Sequence, residues 1–120
     1  MAGKLIADQI QHSTAGSLDT SYVVNGSAKA WCHTTDDVID DSLNFSSSTD
    51  NATGDYTVNF TNSMANVTYA STASPCQGGF RFITIYAART STSGHGLYIG
   101  NTAGSPGDQN VMAQTHGDLA

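Results

Sequence analysis

The strongest constraint in this sequence is a strict two-residue alternation. In Asp55-Tyr56-Thr57-Val58-Asn59-Phe60-Thr61 the apolar residues Tyr56, Val58 and Phe60 share one face, and Thr57, Asn59 and Thr61 share the other. Weaker versions recur in Ser42-Leu43-Asn44-Phe45-Ser46, with Leu43 and Phe45 facing in, and in Leu97-Tyr98-Ile99 and Val111-Met112-Ala113. Residues 67–70 read as a strand returning antiparallel to 55–61 across a short turn. Tyr22-Val23-Val24, Asn25-Gly26 and residues 27–32 read as strand, type I′ turn and strand, since both turn positions accept positive φ. There Ala28, Ala30 and Cys32 alternate with Lys29, Trp31 and His33, so small residues line one face. Trp31 on the other face reads as core or interface; if exposed, it is a candidate for stacking on sugar. All 10 acidic residues are Asp and none is Glu, which disfavours helix. Short strands between Gly, Asn and Ser turns predict an all-β protein, a small antiparallel β-sandwich of jelly-roll-like form.

Such a fold needs a core, and the apolar supply is thin. Leu, Ile, Val and Phe fill 21 of 120 positions, while Ser, Thr, Asn and Gly fill 49. In residues 80–87, Phe80, Phe82 and Tyr86 point one way and Ile83, Ile85 and Ala87 the other. A strand apolar on both faces is either central and covered twice or turned toward a partner chain. Chains sharing core across symmetry axes would relieve the shortage, so a homotrimer is the expected state. Residues 1–20 carry few large apolar side chains and read as an N-terminal arm that attaches to something else, leaving residues 21–120 as the sandwich.

Charge and motifs exclude several functions. A net charge of -6, with Lys4, Lys29, Arg81 and Arg89 standing singly, offers no stripe for nucleic acid. No segment has the apolar length of a membrane span, and the run after Met1 meets Asp8 too soon for a secretory leader. Cys32 and Cys76 are too few for a disulfide scaffold, and their pairing is open. Asp36, Asp37, Asp40 and Asp41 form an acidic edge without the spacing of a calcium loop. His12, His33, His95 and His116 lack zinc spacing, so no metal or cofactor is expected. Cys32 and His33 are adjacent, hence on opposite strand faces and poorly placed for a dyad. Glycan cleavage would need paired acids, such as Asp40 and Asp108, across a groove. The expectation is therefore a protein that is not an enzyme.

Two segments carry a resemblance. Residues 17–31, from Ser17-Leu18-Asp19-Thr20 to Lys29-Ala30-Trp31, resemble a segment that precedes the C-terminal tip domain of marine and cyanobacterial bacteriophage fibre proteins. Residues 41–69, including Asn51-Ala52-Thr53-Gly54-Asp55-Tyr56-Thr57-Val58-Asn59-Phe60, resemble that tip domain itself. The ending Gly117-Asp118-Leu119-Ala120 is similar to theirs, whereas residues 76–115 are not. The resemblance implies a trimeric virion appendage that recognises the host envelope, with no cofactor and no catalytic residues. This chain departs from the longer fibres in having almost no shaft.

On that reading, exposed residues of loops 47–54, 71–79 and 90–110 would touch a host-surface glycan or protein. Arg89, His95 and Tyr98 are the receptor-contact candidates, His95 standing in Ser93-Gly94-His95-Gly96, a loop by its glycines. One His95 per chain on the axis of a threefold assembly would also supply three imidazoles. The alternative is an architectural subunit, a capsid decoration or tail adaptor, contacting other virion proteins through residues 1–20.

Overall fold

The computed structural model describes Gly3 and residues 6–120; the expected arm residues Met1, Ala2, Lys4 and Leu5, and the His12 side chain, lie outside the described residues. Among the described residues, ten strands and one short helix follow in chain order. They are β1 (Gln9–His12), β2 (Gly16–Asp19), α1 (Thr20–Gly26), β3 (Ala30–Thr35), β4 (Val38–Leu43), β5 (Phe45–Ala52), β6 (Asp55–Phe60), β7 (Ala70–Pro75), β8 (Arg81–Ser91), β9 (Gly94–Asn101) and β10 (Val111–His116). The protein is all-β with antiparallel sheets: a β1-β2 hairpin, a sheet in the order β4-β3-β10-β7, and a second in the order β5-β6-β9-β8.

The two four-stranded sheets close on one core. Ala30, Cys32, Val111 and Ala113 come from β3 and β10, and Tyr56, Val58, Phe60, Leu97 and Ile99 from β6 and β9, with Phe45 and Met64 beside them. The alternation read at 55–61 is realised as written, and small residues on β3 and β10 let the sheets approach. Phe45 stacks on Phe60 with ring centroids 4.9 Å apart, and Tyr69 meets Phe60 edge-on at 5.6 Å.

Several local expectations give way to this topology. Residues 22–24 do not pair with β3, because β4 and β10 already occupy both edges of β3. They form α1 instead, with the Asp19 side chain accepting from the Ser21 N–H at 2.8 Å and Ser27 N–H bonding to the Val23 carbonyl. Residues 67–70 do not return along β6, whose edges are taken by β5 and β9; β7 crosses to the other sheet and pairs with β10. Leu43 is exposed while Phe45 is buried, because Asn44 sits at φ 58 and transfers the chain from one sheet to the other. The Asn44 carboxamide oxygen holds that corner by accepting from the Asn62 N–H at 2.7 Å. Strand β8 is an edge strand rather than a central one, and no second layer covers its outward side, so Phe82, with Phe80 just before the strand, stands exposed at 62% and 85% respectively.

The N-terminal hairpin and α1 bury nothing in the sandwich: Ile10, Leu18, Tyr22, Val23 and Val24 are all exposed. Lys29 Nζ donates to the Val24 and Ser27 carbonyls, and His116 Nδ1 lies 3.1 Å from the Gly26 carbonyl oxygen, tying the end of α1 to the sandwich. No described helix is long and apolar enough to cross a membrane.

Candidate functional site

Two outer faces carry chemistry. On the outer face of the β5-β6-β9-β8 sheet, Tyr98 of β9 lies between Asp55 of β6 and Thr84 of β8 in register. Tyr86 pairs across from Gly96, and the Tyr86 and Tyr98 rings lie 5.9 Å apart, each 39% exposed. Between Tyr86 and Ser91 the β8-β9 register slips, and the extra residues carry Arg89 back over the sheet. The guanidinium carbon stands 6.0 Å from the Tyr86 ring centroid. Arg89 grips Asp55 with both arms, Nε donating to Oδ1 at 2.8 Å and Nη2 to Oδ2 at 2.8 Å. The carboxylate raises the guanidinium further above its ordinary value. Gly96 makes this crossing fit: a Cβ there would stand 2.7 Å from Arg89 Cβ and 3.0 Å from the Tyr86 carbonyl oxygen.

Arg89 and Tyr98 are thus brought together, with Tyr86 and Asp55 completing the patch. His95 is not among them. Its strand neighbour Tyr98 faces out, three residues away, so alternation turns His95 inward, where it is 0% exposed. The ring packs against Phe45 and Phe60, with Nε2 3.3 Å from the Thr115 hydroxyl and Nδ1 unpartnered. Burial pushes its pKa down to about 4. The expected loop at 93–96 is the start of β9, and His95 presents nothing to a receptor or to a threefold axis. The expected contact loops are largely strand as well: β5 runs to Ala52, β7 fills residues 70–75, and β9 fills residues 94–101. Residues 102–110 do form a loop, anchored where the Asp108 carboxylate accepts from the Gly54 N–H at 2.7 Å.

The outer face of the β4-β3-β10-β7 sheet holds a depression of about 420 Å³ lined by Trp31, His33, Thr72, Ser74, Met112 and Gln114, among others. Trp31 is exposed there rather than in the core. At its side, His33 Nδ1 lies 2.7 Å from Asp40 Oδ2, and Nε2 lies 3.5 Å from Cys76 Sγ. Thr35 Oγ1 also donates to Asp40 Oδ2 at 2.7 Å, and these bonds hold the carboxyl below its usual range. Asp41 pairs with His33 and Ile39 with Thr34, leaving Asp40 as the extra residue of a bulge. The bulge puts Asp40 and Asp41 on the same outer side. Cys32 and Cys76 are both free thiols: Cys32 is buried on the core side of β3, with burial pushing its thiol up to about 11, and Cys76 is exposed. The sequence separates Cys76 from His33 by 43 positions, so only the tertiary fold reveals this trio. The run Asp40-Asp41 facing His33 across a tight Asp36-Asp37 turn is the one local signal that could have pointed to part of it. Asp40 and Asp108, considered as paired acids, are each engaged elsewhere, with His33 and Gly54 respectively. Among the described residues no group of three His, Cys or Asp side chains is arranged to hold a metal ion.

No family model, no curated protein and no solved structure matches this chain.

Proposed function

We propose that this chain is a virion structural protein, a bacteriophage fibre or tail-tip subunit that adheres to the host cell surface as a homotrimer. The observation that carries the reading is the patch of Tyr86, Tyr98 and Arg89 on an outer sheet face, where two exposed aromatic rings stand beside an ion-paired guanidinium. Aromatic faces offer π surface to the C–H groups of sugars, and hydroxyl and guanidinium groups satisfy sugar oxygens at the rim. The Arg89–Asp55 pair fixes the guanidinium in advance, so little side-chain entropy is lost on binding. Asp8, Asp19 and the remaining acids give a negative surface that does not favour nucleic acid as partner.

Self-association draws support from the exposed Phe80 and Phe82 at the start of β8, Phe82 sharing the outer face of the sheet with Tyr86. Two four-stranded sheets also supply the eight strands of a jelly roll, the form we propose for the tip. One observation favours the architectural alternative, a capsid decoration or tail adaptor. The β1-β2 hairpin and α1 expose Ile10, Leu18 and Tyr22 with no partner in the sandwich, a surface suited to docking on other virion proteins.

The test is binding of fluorescently labelled protein to bacterial cells before and after enzymatic removal of surface polysaccharide. Adhesion predicts binding that falls with the polysaccharide. Equal, weak signal on all cells supports the architectural alternative.

A further inference from the structure

The trio on the other face has the order of a proton relay rather than of a chelate. His33 presents one ring nitrogen to each partner, Nδ1 to Asp40 and Nε2 to Cys76, so no single ion reaches all three. A carboxylate only accepts hydrogen bonds, so Nδ1 carries the ring hydrogen of the neutral imidazole. The Nε2 lone pair then faces the Cys76 thiol. Thr35 holds the same carboxylate oxygen, and the bulge at Asp40 aims it. Asp41, the cross-strand neighbour of His33, is the other carboxylate on this side. Nucleophile, base and orienting acid in hydrogen-bond sequence are the arrangement that activates a thiol.

We propose that Cys76 is a nucleophilic thiol, with His33 as its base and Asp40 as the positioning residue, that accepts an acyl group from a carboxylic ester placed at the His33 side of the depression, with the rest of the ester against Trp31 and Met112. The second cysteine favours this over disulfide exchange. Cys32 faces the core from the opposite side of β3, so it cannot resolve a mixed disulfide on Cys76. The depression offers Trp31 and Met112 as apolar walls for the acyl or alcohol part, with Thr72, Ser74 and Gln114 as polar rim.

The step balances without an oxidant. The Sγ proton moves to Nε2 of His33, and the sulfur electron pair forms the S–C bond to the ester carbon. The C–O bond to the alcohol breaks with its electron pair on oxygen, which takes the proton back from Nε2. Products are S-acyl Cys76 and the free alcohol. Attack of water on the thioester, with His33 again accepting the proton, releases the carboxylic acid and restores the thiol.

Two probes test the proposal on the whole chain. With p-nitrophenyl acetate, the protein should release one equivalent of p-nitrophenol rapidly and carry an acetyl group on Cys76 by peptide mass mapping. With iodoacetamide at neutral pH, Cys76 should alkylate about a hundredfold faster than in His33→Ala, and Cys76→Ser should show no fast phase. Asp40→Asn should lower the rate and abolish the downfield Nδ1–H proton resonance of His33, and His33→Gln, which keeps a polar side chain but has no base, should alkylate as slowly as His33→Ala. All substitutions are at surface positions, and unchanged melting temperatures in the same samples separate chemistry from unfolding. Equal alkylation rates in wild type and folded His33→Ala, or acetylation spread over lysines with none on Cys76, would overturn the proposal.

Discussion

At the scale of single residues, His95 is the most informative side chain. Its burial among Phe45, Phe60 and Tyr69 disfavours the imidazolium, and the folded pKa of about 4 lies below the ordinary 6.5. Between those values the unfolded chain binds a proton that the folded chain refuses, so stability falls as pH drops from 6.5 toward 4 and is complete above that window. The loss from this residue is about 3 kcal/mol, following from roughly 1.4 kcal/mol per pKa unit. Urea unfolding at a series of pH values should show it. His95→Leu should flatten the decline, since it removes the titrating ring, while Thr115 keeps its bond to Ser71. Asp40 and Asp108, held below the ordinary 3.8 by their hydrogen bonds, act in a lower window and do not mask it. A second residue-scale prediction concerns Asp108, whose carboxylate ties residues 102–110 to the β5-β6 turn through Gly54. Asp108→Ala should lower unfolding free energy by about 1–2 kcal/mol, the cost of leaving a backbone N–H unpaired.

At the scale of elements, strand character is readable where alternation is strict, as at 55–61, but not at residues 22–24, which are helix, or at 94–96, which are strand, and strand partnership is not readable. The period-two face of Tyr56, Val58 and Phe60 is the core face of β6, and Ala30 and Cys32 do face in. Alternation says which residues share a side; it does not say which edge a neighbour takes. Residues 22–24 and 67–70 read as partners of the nearest strand in sequence, but β3 has β4 on one edge and the distant β10 on the other, and β6 has β5 and the distant β9. The Arg89–Tyr98 grouping was half legible for the same reason. Both residues were visible as candidates, but the slip in β8 that folds Arg89 onto Asp55 is set by register and by the missing side chain of Gly96. His95 was misplaced because flanking glycines read as a loop, whereas in β9 they clear space for crossing chains: a Cβ on Gly94 would meet the Val58 carbonyl oxygen at 2.5 Å. Helix α1 has seven residues and none buried, too short to be stable alone in water. Hydrogen exchange on the isolated chain should find amides 20–26 exchanging far faster than those of β6 and β9. Asp19→Ala should speed that exchange further without moving the melting temperature of the sandwich.

At the scale of the whole molecule, shape and exposed surface belong together. The radius of gyration is 16.9 Å, against about 13–14 Å for a compact chain of this length, and the long dimension reaches 51 Å. The projecting β1-β2 hairpin and α1 and the aromatic end of β8 leave apolar area that a lone chain gains nothing by displaying. Sedimentation equilibrium should give three times the chain mass, and Phe80→Ser with Phe82→Ser should shift it toward one. The trio of Cys76, His33 and Asp40 lies on the opposite sheet from the tyrosine patch, so substitutions should separate the proposed adhesion from the proposed thiol chemistry. The adhesion claim is tested most directly by titrating bacterial surface polysaccharide onto wild-type protein and onto the Tyr86→Ser, Tyr98→Ser double variant by calorimetry. Wild type should give saturable heat, and the double variant should lose it with melting temperature unchanged. Equal binding by both proteins, or no binding by wild type to polysaccharide from cells that retain the labelled protein, would contradict the adhesion claim.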